Sequence, residues 1–410
     1  MKYKDWDLDR DLEAIREEFP ILKKCVYLIS NSLGAVPQGV RKDLLAYYEL
    51  WANEGVSAWS QEWWDLARRI GDKVASLLHA EKDTVSMMTN ATLAHWVALS
   101  TKFQSKNTNR TKIIMTDQDF PSSIYAVQKI SEFMDWKVHI VRSDDRAGID
   151  VDNVLSHIDE ETLFVATSHV YFKSAYIQDI SRIIDYAHQM GAWTAIDGYH
   201  APGCIPVDLA ELKVDFYIGG CLKWLCGGPG SAFLYVRPEL ASSTQPQLTG
   251  WLAHRSPFSF SEKMDFIEGS YRFLSGTPPI PSLYTARAGL EIIEGIGVPQ
   301  IRRKSLSQTS LIITNAKKRH FEVFSPEVEE LRGGAVSVCV PFAFQVKQAL
   351  EKRNIKVDYR KGIKGEPDVI RIGPHFYTRN EEILTLFETM DTIYSTQEYK
   401  SFPDEIKHVT

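Results

Sequence analysis

Two segments of this chain end an apolar run on an ionisable side chain. In AWTAIDGYHAPG the run closes on Asp197, with His200 three residues further on. In YIGGCLKWLCGGPG a second run leads to Lys223, flanked by Cys221, Leu222, Trp224 and Leu225 instead of the polar neighbours of a solvated lysine. Burial disfavours an ammonium, and the neutral amine is the form that condenses with an aldehyde. Lys223 follows Asp197 by 26 residues. That spacing suits two successive strand ends facing one ligand, with an amine for an aldehyde carbon and a carboxylate for a ring nitrogen. The plainer readings, a turn or helix-capping aspartate and a lysine reaching from a strand end to water, serve for either segment alone. Two weaker signals accompany these. MMTNATLAHW places Ala91 and Thr92 where a small polar turn opens a helix, which suits a phosphate as well as an ordinary cap. DVIRIGPHFYT sets Arg371 inside an apolar strand, where a guanidinium pairs with a carboxylate, either internal or from an amino-acid substrate.

Such residues need a rigid frame. From about residue 65 to 240, short apolar runs (TKIIMT, WKVHIV, TLFVATS, AWTAID, VDFYIGG, SAFLYV) alternate with helical patterns such as SSIYAVQKISEFMD and DISRIIDYAHQMG. Runs without polar alternation are strands covered on both faces, so the pattern predicts an α/β fold with a mostly parallel sheet and a site at its carboxyl edge. After about residue 290 the order changes to GGAVSVCV, a helix, IKVDYR, DVIRIG and a final helix, which predicts a smaller α+β unit. We expect a segment 1–40 packing on the small domain, a large domain 41–290 and a small domain 291–410. No internal repeat or low-complexity linker interrupts this plan.

The 410 residues exceed one ordinary core. A net charge of −6 opposes nucleic-acid binding, because there is no cationic excess to neutralise phosphates. No apolar run is long enough to span a bilayer, and the charged start MKYKDWDLDRDLEAIREEF lacks the core of a signal peptide. Five cysteines without a CxxC pair fit a reducing cytoplasm, with no metal site expected.

Taken together the segments resemble the class V branch of fold-type I pyridoxal 5′-phosphate (PLP) enzymes, and within it most closely the kynureninases. The resemblance runs from YLISNSLGAVP to the final domain. It implies a seven-stranded-type sheet between helices and PLP carried as a Schiff base on Lys223. It also implies Asp197 on the pyridinium nitrogen, within an Asp-x-x-His motif that ends at His200. Phe120, of the Phe-Pro pair in DQDFPSSIY, would stack on the ring, with Ser123 and Ser168 nearby. Trp251 in TGWLAH would contact the phosphate. Ser275, Gly276 and Thr277 would reach the phosphate from the neighbouring subunit of a homodimer. Arg371 would hold the substrate carboxylate, Asn31 and Ser32 of the N-S-L-G turn would face the substrate, and Trp59 would add an aromatic wall. Three positions depart from the pattern: Leu222 stands for a tyrosine, Ser123 for an aspartate, and Ala175 for a glycine after Ser174. Tyr171, Tyr199 and His200 are the candidates to replace the lost tyrosine hydroxyl, with His200 favoured by its place after Asp197.

The expected substrate is a small-molecule amino acid, and the expected reaction is hydrolytic Cβ–Cγ cleavage of a kynurenine-type compound to L-alanine and an aromatic acid. A C–S β-lyase and a class V aminotransferase share its first steps, and a non-catalytic PLP-binding module is the alternative of another kind. A cysteine desulfurase ranks last, because it needs a mobile nucleophilic thiol and Cys339 lies in the strand-like AVSVCV.

Overall fold

A computed structural model describes residues 6–102, 110–143, 147–362 and 366–404. The apolar runs form β1 (Val85–Met88), β2 (Lys112–Thr116), β3 (Lys137–Val141), β4 (Thr162–Ser168), β5 (Trp193–Asp197), β6 (Phe216–Gly220) and β7 (Ala232–Val236). They make one seven-stranded sheet in the order β1-β7-β6-β5-β4-β2-β3. Strands β2 to β6 run parallel, and β7 lies antiparallel between β1 and β6.

Every residue of β4, β6 and β7 is buried, which explains the absence of a polar period in their sequences. Alternate side chains serve opposite layers. Phe164, Ala195, Phe216 and Leu234 pack under the helices α1 (Ala91–Ser100) and α2 (Pro121–Met134). Ile196, Tyr217 and Phe233 pack on the other face against Leu66, Ile70 and Leu283. The edge strand β3 carries exposed Lys137 and His139, as an unpaired edge requires.

The C-terminal part forms an antiparallel sheet from β8 (Glu322–Val323), β9 (Val336–Cys339), β10 (Asp358–Arg360) and β11 (Val369–Ile372), in the order β10-β11-β9-β8. Helices 298–318, 343–352 and 380–395 bury it with Ile312, Val346, Leu350, Leu386 and Phe387. Val26–Tyr27 pairs in parallel with Ile355–Lys356 beside this part, whereas Ile15, Phe19 and Leu22 of the same N-terminal segment pack in the cluster that holds Leu66 and Ile70. Among the described residues no helix is long and apolar enough to cross a membrane.

Candidate active site

The parallel register fixes the site. Ser168, at the end of β4, lies opposite Asp197 at the end of β5, and Asp197 lies opposite Ile218 of β6. The turn after β6 carries Lys223 back over these strand ends. A cavity of about 250 Å³ opens there, lined by Asp197, Tyr199, His200, Leu222 and Lys223 from the β5 and β6 turns. Ser168, Val170 and Phe172 line it from the segment after β4, Phe120, Ser122 and Ser123 from the start of α2, and Ala91 and Thr92 from the start of α1.

The lysine turn is held from two distant parts of the chain. Gly34 N–H donates to the Leu222 carbonyl at 2.8 Å. A Cβ on Gly34 would lie 2.2 Å from the Lys223 carbonyl oxygen, so the N-S-L-G turn requires glycine where it meets the lysine. From the C-terminal part, His375 Nε2 donates to the Trp224 carbonyl at 2.7 Å.

Burial, reinforced by the Arg371 guanidinium, pulls the Lys223 amine down to about 7. Its Nζ donates to His200 Nε2 at 2.5 Å. Burial and the neighbouring Lys223 hold the His200 imidazole far below its usual range, leaving it a neutral acceptor.

Asp197 is also buried, which by itself would raise its pKa, but hydrogen bonds outweigh that effect and keep it ionised. Its Oδ2 faces His95 Nε2 at 3.5 Å and accepts from Ser123 Oγ at 2.8 Å, while Oδ1 accepts from Tyr199 N–H at 2.9 Å. Behind it, Asp119 accepts from Thr116 N–H, Thr167 Oγ1, Ser168 N–H and Ser168 Oγ at 2.7–3.1 Å. Burial still pushes the Asp119 carboxyl up to about 6, against the pull of those bonds. At the other end of the cavity, Asn90 caps α1 through Leu93 N–H at 2.9 Å, and Thr92 Oγ1 lies 2.9 Å from Ser122 Oγ.

The residues singled out from sequence thus divide into two groups. Lys223, Asp197, His200, Ala91, Thr92, Phe120, Ser123 and Ser168 converge on the cavity. Arg371, Asn31, Ser32, Trp59, Trp251 and Thr277 do not line it. Arg371 is buried, with Nε 2.6 Å from Asp358 Oδ2, Nη2 on the same oxygen and Nη1 on the Phe172 carbonyl. The plainer of its two partners, an internal aspartate, is therefore present. Asn31 is buried with neither amide atom hydrogen-bonded, close against Gly373 at the end of β11. Ser32 lines a separate apolar cavity with Tyr27 and Val357. Trp59 stacks on Trp64 at 4.3 Å, Trp64 meets Trp251 and Phe258 edge-on, and Thr277 is exposed.

Five contributors were not marked by the sequence patterns. Ser122, Val170 and Phe172 line the cavity, while His95 and Asp119 buttress it. Asp119, the acid just before Phe-Pro, and His95, one helical turn beyond Ala91, were the available signals. Of the candidates for the lost hydroxyl, Tyr171 is excluded from the cavity, because its phenol is buried and donates to Gln178 at 2.6 Å.

Residues 26–386 match the model of the aminotransferase class-V family. A kynureninase of Pseudomonas fluorescens is 28% identical over 415 residues, covering 98% of this chain and 97% of the relative. A kynureninase of Burkholderia mallei is 30% identical over 408 residues, covering 96% and 95%. In fold, the chain is similar to the apo cysteine desulfurase of Thermococcus onnurineus NA1, with a TM-score of 0.83, 22% identity and coverage of 94% and 98%. It is also similar to the cystine C–S lyase C-DES in complex with cysteine persulfide, with a TM-score of 0.80, 20% identity and coverage of 91% and 98%.

Proposed function

This chain belongs to the aminotransferase class-V family as a kynureninase-like, PLP-dependent enzyme, and from that premise we propose that it hydrolyses the Cβ–Cγ bond of a kynurenine-type amino acid. The products are L-alanine and an aromatic acid. The observation that carries the reading is the coincidence of near-full-length similarity to kynureninases with a cavity that joins a half-buried lysine whose amine is pulled down to about 7, an ionised aspartate and two aromatic walls.

The cavity residues fit PLP by their chemistry. Lys223 offers an amine low enough in pKa to attack an aldehyde, and Asp197 an acceptor for a pyridinium N–H. Phe120 offers a ring face, and the α1 end with Thr92 a place for a phosphate. PLP, when bound, supplies an aldehyde for the amine and an electron sink for charge developing at the substrate Cα.

In this reading the free Lys223 amine would take the Cα proton on Nζ, and His200 Nε2, already its partner, would orient that amine. Asp197, its carboxylate held ionised by Ser123, His95 and the Tyr199 N–H, would hold the N–H of a pyridinium ring. The substrate carboxylate takes the Arg371 Nη1 position now occupied by the Phe172 carbonyl, with the unpaired Asn31 amide beside the same strand. Water adds its oxygen to Cγ, and the electrons of the broken bond leave with Cβ, which is protonated to give alanine. Phe120 and Phe172, edge to face at 5.2 Å, wall off bulk water and accept an aryl group.

Leu222 supports a second reading, C–S β-elimination, which needs no acid for a carbon leaving group. A persulfide-forming desulfurase is disfavoured, because among the described residues no cysteine lines the cavity and burial raises Cys204 and Cys221 to about 12. We further propose a cytoplasmic homodimer in which Trp251 and Thr277 serve the neighbouring subunit's cavity. Exposed Trp51, Phe258 and Phe260 support a buried partner face. Incubation with kynurenine, 3-hydroxykynurenine and a cysteine conjugate, followed by mass spectrometry, decides the reaction. Alanine with anthranilate is expected, and pyruvate from the conjugate alone would replace the hydrolase reading by the lyase.

A further inference from the structure

Tyr199 lines the cavity beside the lysine. Its backbone N–H is fixed on Asp197 Oδ1, and its ring lies across the end of β6. Gly220 makes that possible, because a Cβ there would sit 2.4 Å from the phenol oxygen and Cζ. The Lys223 Nζ stands 4.8 Å from the Tyr199 ring centre and 5.9 Å from that of Phe120. A planar ring attached at this amine therefore finds one aromatic side chain with a hydroxyl and one without.

The other phenols near the strand ends are committed, Tyr171 to Gln178 and Tyr217 to His169 Nδ1 at 2.9 Å. The Tyr199 hydroxyl has no hydrogen-bond partner among the described residues, and Tyr199 lines the cavity. Its ring runs from β5 across β6, the strand over which α1 packs. Ala91 and Thr92 at the start of α1 line the same cavity and favour an anion there, while the ionised Asp197 repels one from its own side. Burial raises the phenol pKa, so the group stays a donor at working pH.

We propose that Tyr199 donates its hydroxyl hydrogen bond to the phosphate of bound PLP, filling the role that Leu222 leaves vacant in the lysine turn. The assignment rests on the PLP reading of the same cavity. It makes the pair at 199 and 222 a relocated hydroxyl: Leu222 lines the same space, so a phenol could enter from either position.

The test compares PLP with pyridoxal, which lacks the phosphate, by titrating each into the apo-protein and following absorbance and phosphorus NMR. Tyr199→Phe should weaken PLP binding about tenfold or more while leaving pyridoxal within about twofold. The phosphorus resonance of bound PLP should shift between wild type and variant. Adding Leu222→Tyr to Tyr199→Phe should restore most of the PLP affinity. Equal PLP affinity in wild type and Tyr199→Phe, or equal weakening of both ligands, overturns the assignment and leaves Tyr199 a packing residue. A wild-type chain that takes up neither ligand overturns the cofactor reading itself, and this assignment with it.

Discussion

The cavity floor and the aromatic surface around Trp251 are built on opposite plans. At the floor, Asp197 and Asp119 are buried carboxylates surrounded by polar partners from α1, β2, α2, β4 and the turn after β5 of one chain. At the surface, Trp59, Trp64, Trp251 and Phe258 pack on one another, yet Phe258 stays 56% and Phe260 79% exposed. A buried carboxylate without donors costs several kcal/mol, so the floor must be complete before any ligand arrives. Apolar surface carries no such penalty in an isolated chain and can await a partner. The floor is where one chain provides the chemistry, and the surface is where the proposed dimer would provide the rest.

The sharpest way to break the comparison is at the floor. Lys223→Ala should abolish covalent capture of PLP and all turnover, because among the described residues no other amine lines the cavity. Borohydride reduction and peptide mapping check this, and label on another lysine would be decisive against it. The same amine sets a pH limb. With its pKa lowered to about 7, capture of PLP by the apo-protein should slow as pH falls below that value and Nζ becomes protonated. Asp197→Asn should leave PLP bound but slow exchange of the substrate Cα hydrogen with deuterated solvent on the order of a hundredfold, since a neutral amide cannot hold the pyridinium proton. Exchange at the wild-type rate would remove Asp197 from that role.

At the surface the expected effect is smaller and of another kind. Phe258→Asp with Phe260→Asp should weaken self-association on the order of tenfold or more, with the fold of the apo-protein kept, as sedimentation and circular dichroism can show. An unchanged oligomeric state would detach this surface from the interface. The smallest effect is expected at Ala175, which holds φ +60° between floor and small domain. Ala175→Gly should raise stability by about 1 kcal/mol, read from urea unfolding, since a Cβ is disfavoured in the left-handed region. A loss of stability would mean that the methyl group packs better than the backbone suffers.

Much was legible in the sequence for local reasons. Runs such as TLFVATS and VDFYIGG have no polar face, which fixes buried parallel strands, and a residue at the end of such a strand belongs at the carboxyl edge of the sheet. Asp197 and Lys223 follow from that rule, whereas Ser168 entered through the family resemblance and the start of α1 as a helix terminus suited to a phosphate. The sequence also marked Leu222 as a place where a hydroxyl is missing. Only the tertiary structure decided where Arg371 spends its bonds, because Asp358 and the Phe172 carbonyl meet it through strand pairing and domain packing that no local pattern encodes. The same holds for Gly34 and His375, which clamp the lysine turn from either end of the chain. It holds for Tyr199 too: it lies two residues after Asp197 in sequence, but it reaches the space beneath Lys223 only because Gly220, on the neighbouring strand, has no side chain in the way.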